Sequence, residues 1–568
     1  MTTRLLPRLA RLLPALALVC AATFAQAATI TIVNLDSAGE GFNDPTAATP
    51  VGGNPGTTVG QQRLNVFQQA ASVWGGLLPS DVAILVNAQF NPLSCSPTSA
   101  VLGSAGTTTV HRDFAGAEFT GTWYPQALAN KLAGYDLDGA NSDLSAQFNS
   151  SLGNAGCLDG SSWYYGYDHE QASNQIDLLA VVLHEIGHGL GFATYASGTT
   201  GQLFSGYPDV FCRFLYDETT GLHWNEESNA QRAASAIVPY KLLWDGAATR
   251  FMAPLTLDYG RPLLRVNAPG AIAGDYAVGT ASFGAPLGTP GVTGDVVLGV
   301  DAVSPFNDAC SALTNAAEMA GRIAIVDRGI CAFAAKAKTC QDAGAVGVIV
   351  VNNAAGAPPP GMGGTDPTVV IPAVMVTQAD GAALKAQLAA GLNVTLMVDP
   401  DLMAGADPAG RVMMYTPNPY QSGSSVSHFD VSCSPNLLME PSINPDLTSS
   451  VDLTQYAFED IGWLPRTTTV PTDVTPGRLA LLAGRPNPFR TSTSIHFRMP
   501  AAGAADLAVY DVAGRQVRQL VRAALPAGEH VTVWDGAGDD GRPAQAGVYF
   551  TRLAVGGVMQ SRRVVFVR

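Results

Sequence analysis

The segment from Asn174 to Gly191 most constrains the fold, because it is apolar around nearly its whole helical circumference yet carries ionisable side chains. A helix that is apolar on all sides lies at the centre of a domain. His184, Glu185 and His188 interrupt it as His-Glu-Ile-Gly-His, and imidazoles four residues apart lie on one face of a helix. The pattern predicts a buried helix that presents two metal ligands and a carboxylate to one site.

Two histidines do not complete a catalytic zinc site, which takes three protein ligands and leaves one position open for water. Gly191 is predicted to end the helix and turn the chain away. A third histidine three residues later would stand at 194, where the sequence has Thr194. The candidates that remain are the acidic pair Glu226-Glu227, Asp209 and His428.

Further along the chain, residues 423–430 read Gly-Ser-Ser-Val-Ser-His-Phe-Asp, and Leu-Met-Glu-Pro follows at 438–441. Together with the histidine helix, they resemble the leishmanolysin-type metzincins, in which an inserted domain separates the third histidine from the first two. Ala457-Phe-Glu-Asp-Ile-Gly-Trp463 resembles the closing helix of that family's catalytic domain. The resemblance implies that the chain is a metallopeptidase with an insertion of 240 residues between the last two ligands.

The same resemblance assigns the site residues. It implies zinc on His184, His188 and His428, with Glu185 as the general base. It also implies that Met439 forms the methionine turn, which supports the site from beneath the metal. The sequence therefore predicts a zinc endopeptidase that hydrolyses proteins or peptides by an activated water.

Residues 269–400 alternate short β-branched runs with alanine-rich helical stretches, which favours a separate α/β unit. Gly321-Arg-Ile-Ala-Ile-Val-Asp-Arg-Gly329, Cys331-x-Phe333 and Ile371-Pro-Ala373 resemble a protease-associated (PA) domain. Such a domain lies within the predicted insertion. We expect this domain to lie beside the active-site cleft, where it would filter substrates or hold their distant parts.

Beyond a Thr- and Pro-rich linker at 466–475, alternating strands separated by Gly- and Asp-rich turns predict a β-sandwich over 476–568. This part carries 12 Arg and 6 acidic residues, a net charge of +6, whereas the whole chain carries −15. Pro486-Asn-Pro-Phe489, Tyr510-Asp-Val-Ala-Gly514 and Gly547-Val-Tyr-Phe550 resemble the FlgD-Ig-like sorting or adhesive sandwiches of bacterial secreted proteins. The resemblance implies a tether to the cell surface or a signal for secretion machinery.

The first 27 residues have the pattern of a signal peptide. Three arginines precede the apolar run Leu12–Ala22, and Ala25-Gln-Ala27 suits signal peptidase. No later stretch offers the roughly 18 apolar residues of a membrane span. We therefore expect a secreted protein of a bacterium, in which disulfides form among seven remaining cysteines and at least one thiol stays unpaired.

Net charge and composition limit the classes of partner and ion that the chain is expected to bind. A net charge of −15 argues against nucleic acid, because binding a phosphate backbone requires a basic footprint. Asp136-x-Asp138-Gly-x-Asn141-x-Asp143 collects oxygen ligands that suit calcium but lacks the full twelve-residue loop, so a solvated turn is the alternative.

The predicted fold is multidomain α+β. A metzincin-like catalytic domain at 28–268 and 401–465 is interrupted by the α/β PA domain at 269–400, and an all-β sandwich follows at 476–568. The competing prediction is a catalytically inactive surface or adhesion protein that uses the PA domain and the sandwich as binding modules. Intact Glu185 and three intact histidines favour the enzyme.

Overall fold

The fold is taken from a computed structural model. It describes residues 27–139, 141–464, 480–481, 489, 492–499, 502–511, 515–526, 528–539, 541–556 and 558–566. The predicted signal peptide, apart from its last residue, and the predicted linker at 466–475 lie outside these residues.

The helices of the described chain are α1 (Val59–Leu77), α2 (Gln126–Ala133), α3 (Leu178–Leu190), α4 (Asn229–Ser235), α5 (Ala247–Thr256), α6 (Phe333–Asp342), α7 (Gln378–Ala386) and α8 (Thr454–Ile461). The strands that precede the insertion are β1 (Ile30–Asn34), β2 (Ile84–Asn91), β3 (Cys95–Ser96), β4 (Ser99–Ala100), β5 (Gly103–Thr107), β6 (Val110–His111), β7 (Tyr124–Pro125), β8 (Leu144–Asn149), β9 (Ser162–Tyr164), β10 (Gln175–Asp177), β11 (Leu215–Asp217), β12 (Leu222–His223) and β13 (Leu242–Trp244).

The later strands are β14 (Tyr259–Ala268), β15 (Gly274–Ala277), β16 (Gly279–Thr280), β17 (Val292–Leu298), β18 (Ile323–Asp327), β19 (Gly347–Val351), β20 (Ala373–Val376), β21 (Asn393–Met403), β22 (Val412–Met413), β23 (Ala480–Leu481), β24 (Thr493–Met499), β25 (Gly503–Asp511), β26 (Gln516–Leu525), β27 (Gly528–Trp534), β28 (Gly547–Val555) and β29 (Val558–Phe566).

The first sheet has the order β1-β2-β8-β5, with the first three strands parallel and β5 antiparallel at one edge. Burial alternates strictly along β2, as expected of a strand that faces a core on one side only. Helices α1 and α3 pack on each other, and the Trp74 indole N–H donates to the Leu183 carbonyl at 3.0 Å. Helix α3 therefore lies in the centre of this core, as the sequence predicts.

Local signals fix both ends of α3. The Asp177 carboxylate caps the helix by accepting from the backbone N–H groups of Leu179 and Ala180. At the other end, Gly191 has φ +124, a conformation that side chains disfavour. Nearly every residue between them is buried, so the helix has no solvent face.

The insertion forms an eight-stranded sheet of order β15-β14-β21-β17-β18-β19-β20-β16, whose strands β17 to β20 are parallel. The long strands β14 and β21 pair antiparallel from Tyr259↔Met403 to Ala268↔Asn393. They carry the chain out of the first domain and back into it. The sheet thus begins ten residues before 269; the domain boundaries themselves stay predictions.

After the insertion the chain rejoins the sheet that it left. Strand β22 pairs with β13, so Met413 lies opposite Leu243 in a sheet of order β12-β11-β13-β22. Helix α8 then packs on α5. Its Asp460 accepts hydrogen bonds from the Trp244 indole and the Thr249 hydroxyl. Residues on both sides of the insertion therefore build one core.

The C-terminal region consists of two facing sheets, of order β23-β24-β27 and β26-β25-β28-β29, around a core that includes Phe497 and Trp534. The multidomain α+β fold with an all-β C-terminal region is confirmed. No helix among the described residues is both long and apolar enough to span a bilayer.

Two disulfides join Cys95 to Cys157 and Cys310 to Cys331. The remaining described cysteines are buried thiols: Cys212, Cys340 and Cys433. The expectation of disulfides with at least one unpaired thiol is confirmed.

Candidate metal centre

Three imidazoles converge although one of them comes from the far side of the insertion. The Nε2 atom of His188 lies 3.0 Å from that of His184 and 3.1 Å from that of His428, and the third distance is 3.2 Å. His184 and His428 are buried, and His188 is partly buried. Within the described ranges, this is the one group of three or more such side chains spaced to hold a metal ion.

The outer nitrogen of each ring has a backbone partner. The Nδ1 atoms of His184, His188 and His428 lie 2.7, 2.8 and 2.7 Å from the carbonyl oxygens of Leu438, Phe192 and Ser424. A carbonyl only accepts hydrogen bonds, so each Nδ1 carries the proton and each Nε2 presents a lone pair. Three lone pairs that face one another cannot satisfy each other.

A cation satisfies all three lone pairs at once. Zinc bonds to imidazole nitrogen at about 2.0–2.1 Å, which corresponds to ligand atoms roughly 3.3 Å apart in a tetrahedron. The observed spacing of 3.0–3.2 Å is close to that value. The carbonyl partners are the outer hydrogen bonds that orient metal-bound histidines in proteins. The donor set therefore fits zinc with one position left open.

The electrostatics of the rings suit metal binding. Burial, and secondarily the neighbouring His188, lowers the pKa of His184 to about 3. Burial alone lowers the pKa of His188 to about 4. The pKa of His428 falls well below its usual range, again mainly through burial. All three rings are neutral near pH 7, the form that binds metal.

Glu185 points into a buried environment beside the edge strand. It is 8% exposed, and burial raises the pKa of its carboxyl to about 8. The Ala105 backbone N–H on β5 opposes this shift by donating to the carboxylate. A nearby cation favours the ionised form of a carboxyl group, so the general-base role predicted for Glu185 is consistent with a metal at this centre.

Met439 lies directly beneath the histidine helix. A Cβ atom added to Gly187 would stand 2.9 Å from the Met439 sulfur, so any side chain at that helix position would force the methionine to shift. The turn also bonds to both halves of the centre: the carbonyl of Leu438 accepts from His184, and that of Met439 accepts from the Phe429 N–H at 2.8 Å. Sequence reasoning missed Gly187, whose only signal is its place inside the His-Glu-x-x-His motif.

The His428 loop is held by backbone pairing. The Tyr415 N–H donates to the His428 carbonyl, and the Val426 N–H donates to the Tyr415 carbonyl, at 2.9 and 2.7 Å. Val426 adopts φ +74, which turns the chain back before the histidine. The loop follows β22, so the strand that rejoins the sheet of β13 after the insertion also leads to the third imidazole.

The other candidate ligands lie elsewhere. Asp209 accepts from the Thr194 hydroxyl and the Tyr195 N–H, and Glu227 accepts from Thr220. Glu226 bonds the His223 N–H. The Thr194 N–H donates at 3.2 Å to the hydroxyl of Ser427, the neighbour of His428. The loop histidine thus comes next to the position where an uninterrupted motif would place its own third ligand.

The side-chain oxygens of the acidic segment after α2 accept hydrogen bonds from other groups of the chain. Asp143 accepts from the Leu85 N–H and the Asn130 amide, and Asp136 accepts from the Asp138 N–H. Asn141 donates to Asp138. These bonds are those of a structured turn, and calcium at this segment stays a prediction.

Comparisons with known families cover three separate parts of the chain. The PA domain model matches residues 292–384, the SPBPB7E8-like model matches 56–227, and the FlgD Ig-like domain model matches 489–555. The first match lies within the eight-stranded sheet. The second includes His184, Glu185 and His188.

Among curated proteins, leucine aminopeptidase 2 of Trichophyton rubrum is 38% identical over 93 residues, 16% of this chain and 19% of that protein. Signal peptide peptidase-like 3 of Arabidopsis thaliana is 34% identical over 130 residues, 22% of this chain and 23% of that protein. The chain thus spans about a fifth of the length of these relatives.

Among solved structures, the Bacillus subtilis zinc aminopeptidase BSAP is 20% identical with a TM-score of 0.20, over 34% of this chain and 42% of that one. The aminopeptidase from Aneurinibacillus sp. strain AM-1 is 23% identical with a TM-score of 0.19, over 25% of this chain and 31% of that one. The resemblance to leishmanolysin-type metzincins is not found among these relatives and stays a prediction. The family matches identify a PA domain within the insertion and an FlgD Ig-like domain in the C-terminal sandwich.

Proposed function

We propose that this chain is a zinc-dependent endopeptidase of the metzincin type, in which His184, His188 and His428 bind one zinc ion. The observation that carries the proposal is the convergence of three Nε2 lone pairs, each fixed by a carbonyl on the opposite ring nitrogen. With every Nδ1 protonated and all three rings neutral, no Nε2 carries a proton to donate to the others. The PA domain and the peptidases among the partial relatives agree with this proposal.

The roles of the other residues follow from their positions. Zinc held by the three rings would lower the pKa of a water ligand towards about 7 and polarise a peptide carbonyl. Glu185, next to His184 on the same helix, takes the proton of the attacking water and returns it to the leaving amine. Met439 packs under the helix and keeps the rings at their spacing.

The position of β5 favours an endopeptidase. This strand lies at the edge of its sheet, contacts α3 and bonds Glu185 through Ala105. An open edge strand accepts an extended peptide as an additional strand. A polypeptide bound there extends past the catalytic centre in both directions, so neither of its termini has to enter the site.

The test uses a purified full chain and an internally quenched peptide whose termini are acetylated and amidated. We expect one zinc per chain, cleavage that stops with 1,10-phenanthroline, and a Glu185→Gln variant that keeps zinc but loses turnover at least 10²-fold. Cleavage of free-amine peptides alone would reassign the chain to the aminopeptidases. A chain that binds zinc but cleaves neither substrate would support the inactive adhesion protein instead.

A further inference from the structure

A second group of side chains has the geometry of a nucleophile, a base and an orienting acid. The Nδ1 atom of His169 lies 2.5 Å from Oδ2 of Asp177, and its Nε2 atom lies 2.8 Å from the hydroxyl oxygen of Ser449. The three residues come from three different segments of the chain. None of them takes part in the metal centre.

Asp177 is placed rigidly. It is 2% exposed, and its Oδ1 atom caps α3 by accepting from the Leu179 N–H at 2.8 Å, which leaves Oδ2 to His169. Asp177 precedes His184 by seven residues, so about 10 Å of helix separates this group from the metal ligands. The N-terminal cap of α3 and the two histidines of the same helix thus belong to two separate groups of side chains.

The carboxylate determines the state of the imidazole. A carboxylate that accepts from Nδ1 keeps the proton there and leaves the lone pair of Nε2 facing Ser449. His169 is held in this pose by a backbone with φ +59, an uncommon conformation for a residue with a side chain. Strained backbone of this kind occurs preferentially at functional sites.

Ser449 borders an open pocket of about 400 Å³. The pocket combines the apolar side chains of Val73 and Leu77 with the polar side chains of Ser449, Ser450, Asp452 and Gln455. Within the described part of the chain, the N–H groups of Ser449 and Val451 make no hydrogen bond. An ester whose carbonyl lies at the serine would therefore have an apolar wall for its acyl chain, and these two N–H groups are free to donate to an oxyanion.

We propose that Ser449, His169 and Asp177 form a second, metal-independent acyl-transfer centre that accepts carboxylic esters with an apolar acyl group. The Ser449 oxygen bonds to the ester carbonyl carbon while its proton passes to Nε2 of His169. The carbon–oxygen bond to the alcohol then breaks, and the alcohol leaves with that proton. Water, activated by the same imidazole, releases the acid and restores the serine.

The test is labelling of the full, zinc-containing protein with a fluorophosphonate that carries a fluorophore, followed by peptide mapping. Phosphonylation joins the Ser449 oxygen to phosphorus, expels fluoride and transfers the serine proton to His169. We expect one adduct on Ser449 that is insensitive to 1,10-phenanthroline. Under the same conditions, p-nitrophenyl esters of short fatty acids are hydrolysed without zinc.

Variants distinguish an acyl-transfer centre from a hydrogen-bond network that is only structural. Ser449→Ala abolishes labelling and leaves chelator-sensitive peptide cleavage unchanged, whereas the neighbouring Ser450→Ala labels normally. His169→Asn, which tolerates the positive φ, slows labelling at least 10²-fold. Asp177→Asn keeps the helix cap but removes the carboxylate, and it also slows labelling.

Two results would overturn the proposal. One is the absence of an adduct on Ser449 in protein shown to be folded by thermal melting. The other is labelling that proceeds equally fast in His169→Asn or falls equally on Ser450. Either result would mean that the three residues only link the start of α3 to the segment after the methionine turn by hydrogen bonds.

Discussion

The two halves of the metal centre are built in different ways. In the helix half, His184 and His188 are fixed by one turn of α3, whose cap and glycine end are local. In the loop half, His428 depends on backbone bonds to Tyr415, to Met439 through Phe429, and to β22 before it. The helix half is therefore a product of local sequence, and the loop half is a product of tertiary structure.

The difference has an energetic consequence. A ligand pair on one helix requires no loop closure, whereas the third ligand returns after 240 residues. Closure entropy grows only with the logarithm of length, and the pairing of β14 with β21 brings the two ends of the insertion together. A folded insertion thus permits a site divided in sequence, but it makes the loop half sensitive to the insertion.

Removing one ligand from either half gives the largest expected effect. His188→Ala and His428→Ala should both weaken zinc binding by more than the 10–100-fold typical of losing a ligand's hydrogen-bond partner, and both should lose peptide cleavage. Competition with a zinc chromophore measures the affinity, with His530→Gln in the sandwich as control. If His428→Ala kept native zinc affinity while His188→Ala lost it, His428 would not be a zinc ligand.

The contact between the halves is tested at Gly187. Gly187→Ala places a Cβ 2.9 Å from the Met439 sulfur on a buried face. Overpacking of this kind costs about 1–3 kcal/mol. We expect that loss in urea unfolding of the zinc-free protein, together with weaker zinc binding.

Gly76→Ala is the matched helical control. Its added Cβ has no atom within 4 Å, so the free energy of unfolding should stay the same or rise by up to about 1 kcal/mol. Equal stability of the two variants would contradict the packing of Met439 against α3.

A substitution in the PA insertion should act on the loop half alone. Ala357 and Asn418 exchange backbone hydrogen bonds at 2.8 and 2.6 Å. Gly356 has φ +130, and a Cβ there would stand 2.5 Å from the Asn418 oxygen. Gly356→Ala should displace the segment that leads to His428 and speed zinc release by about 10–100-fold.

Stopped-flow transfer of zinc to a chelator measures this rate. Gly363→Ala, in the same insertion with no atom within 4 Å of the added Cβ, is the control and should behave as the wild type. Unchanged zinc release in Gly356→Ala would show that the insertion does not influence the centre.

The last prediction concerns the pH dependence of stability. Burial raises the pKa of Glu440, next to Met439, to about 8, whereas an unfolded glutamate titrates near 4.3. Between these values the folded protein holds a proton that the unfolded chain has lost, so stability falls as pH rises. Glu440 contributes at most about 1.4 kcal/mol per pH unit to this slope.

Glu440→Gln removes that contribution while preserving an acceptor for the Leu437 N–H. Urea unfolding of zinc-free protein between pH 5 and 8 should therefore show a flatter decline for the variant. A variant as steep as the wild type would assign the slope to other buried acids.

Helices and strands could be predicted from the sequence where hydrophobic periodicity or a capping residue determines them. The buried helix expected within 174–191 is α3 at Leu178–Leu190, and it ends at Gly191 as predicted. In the site, the spacing of His184 and His188 is local and was predictable. The long pair β14 and β21 was missed, because its hydrogen-bond partners lie more than a hundred residues apart.

The position of His428 was predictable only through resemblance. Nothing in residues 423–430 by itself distinguishes a ligand from a surface histidine in a serine-rich loop. The Ser424 carbonyl that orients its ring is local, but the backbone bonds from Tyr415 to His428 and from Phe429 to Met439 place the loop and depend on tertiary structure. His169 gave no signal at all, because its partners Asp177 and Ser449 have no recognisable spacing in the sequence.

X-ray absorption at the zinc edge tests the central claim most directly, because it counts the imidazoles around the metal. The account predicts three imidazole nitrogens and one oxygen at about 2.0–2.1 Å in the wild type, and two imidazoles in His428→Ala. A wild-type spectrum with two imidazoles and a carboxylate, or a spectrum unchanged by His428→Ala, would contradict it.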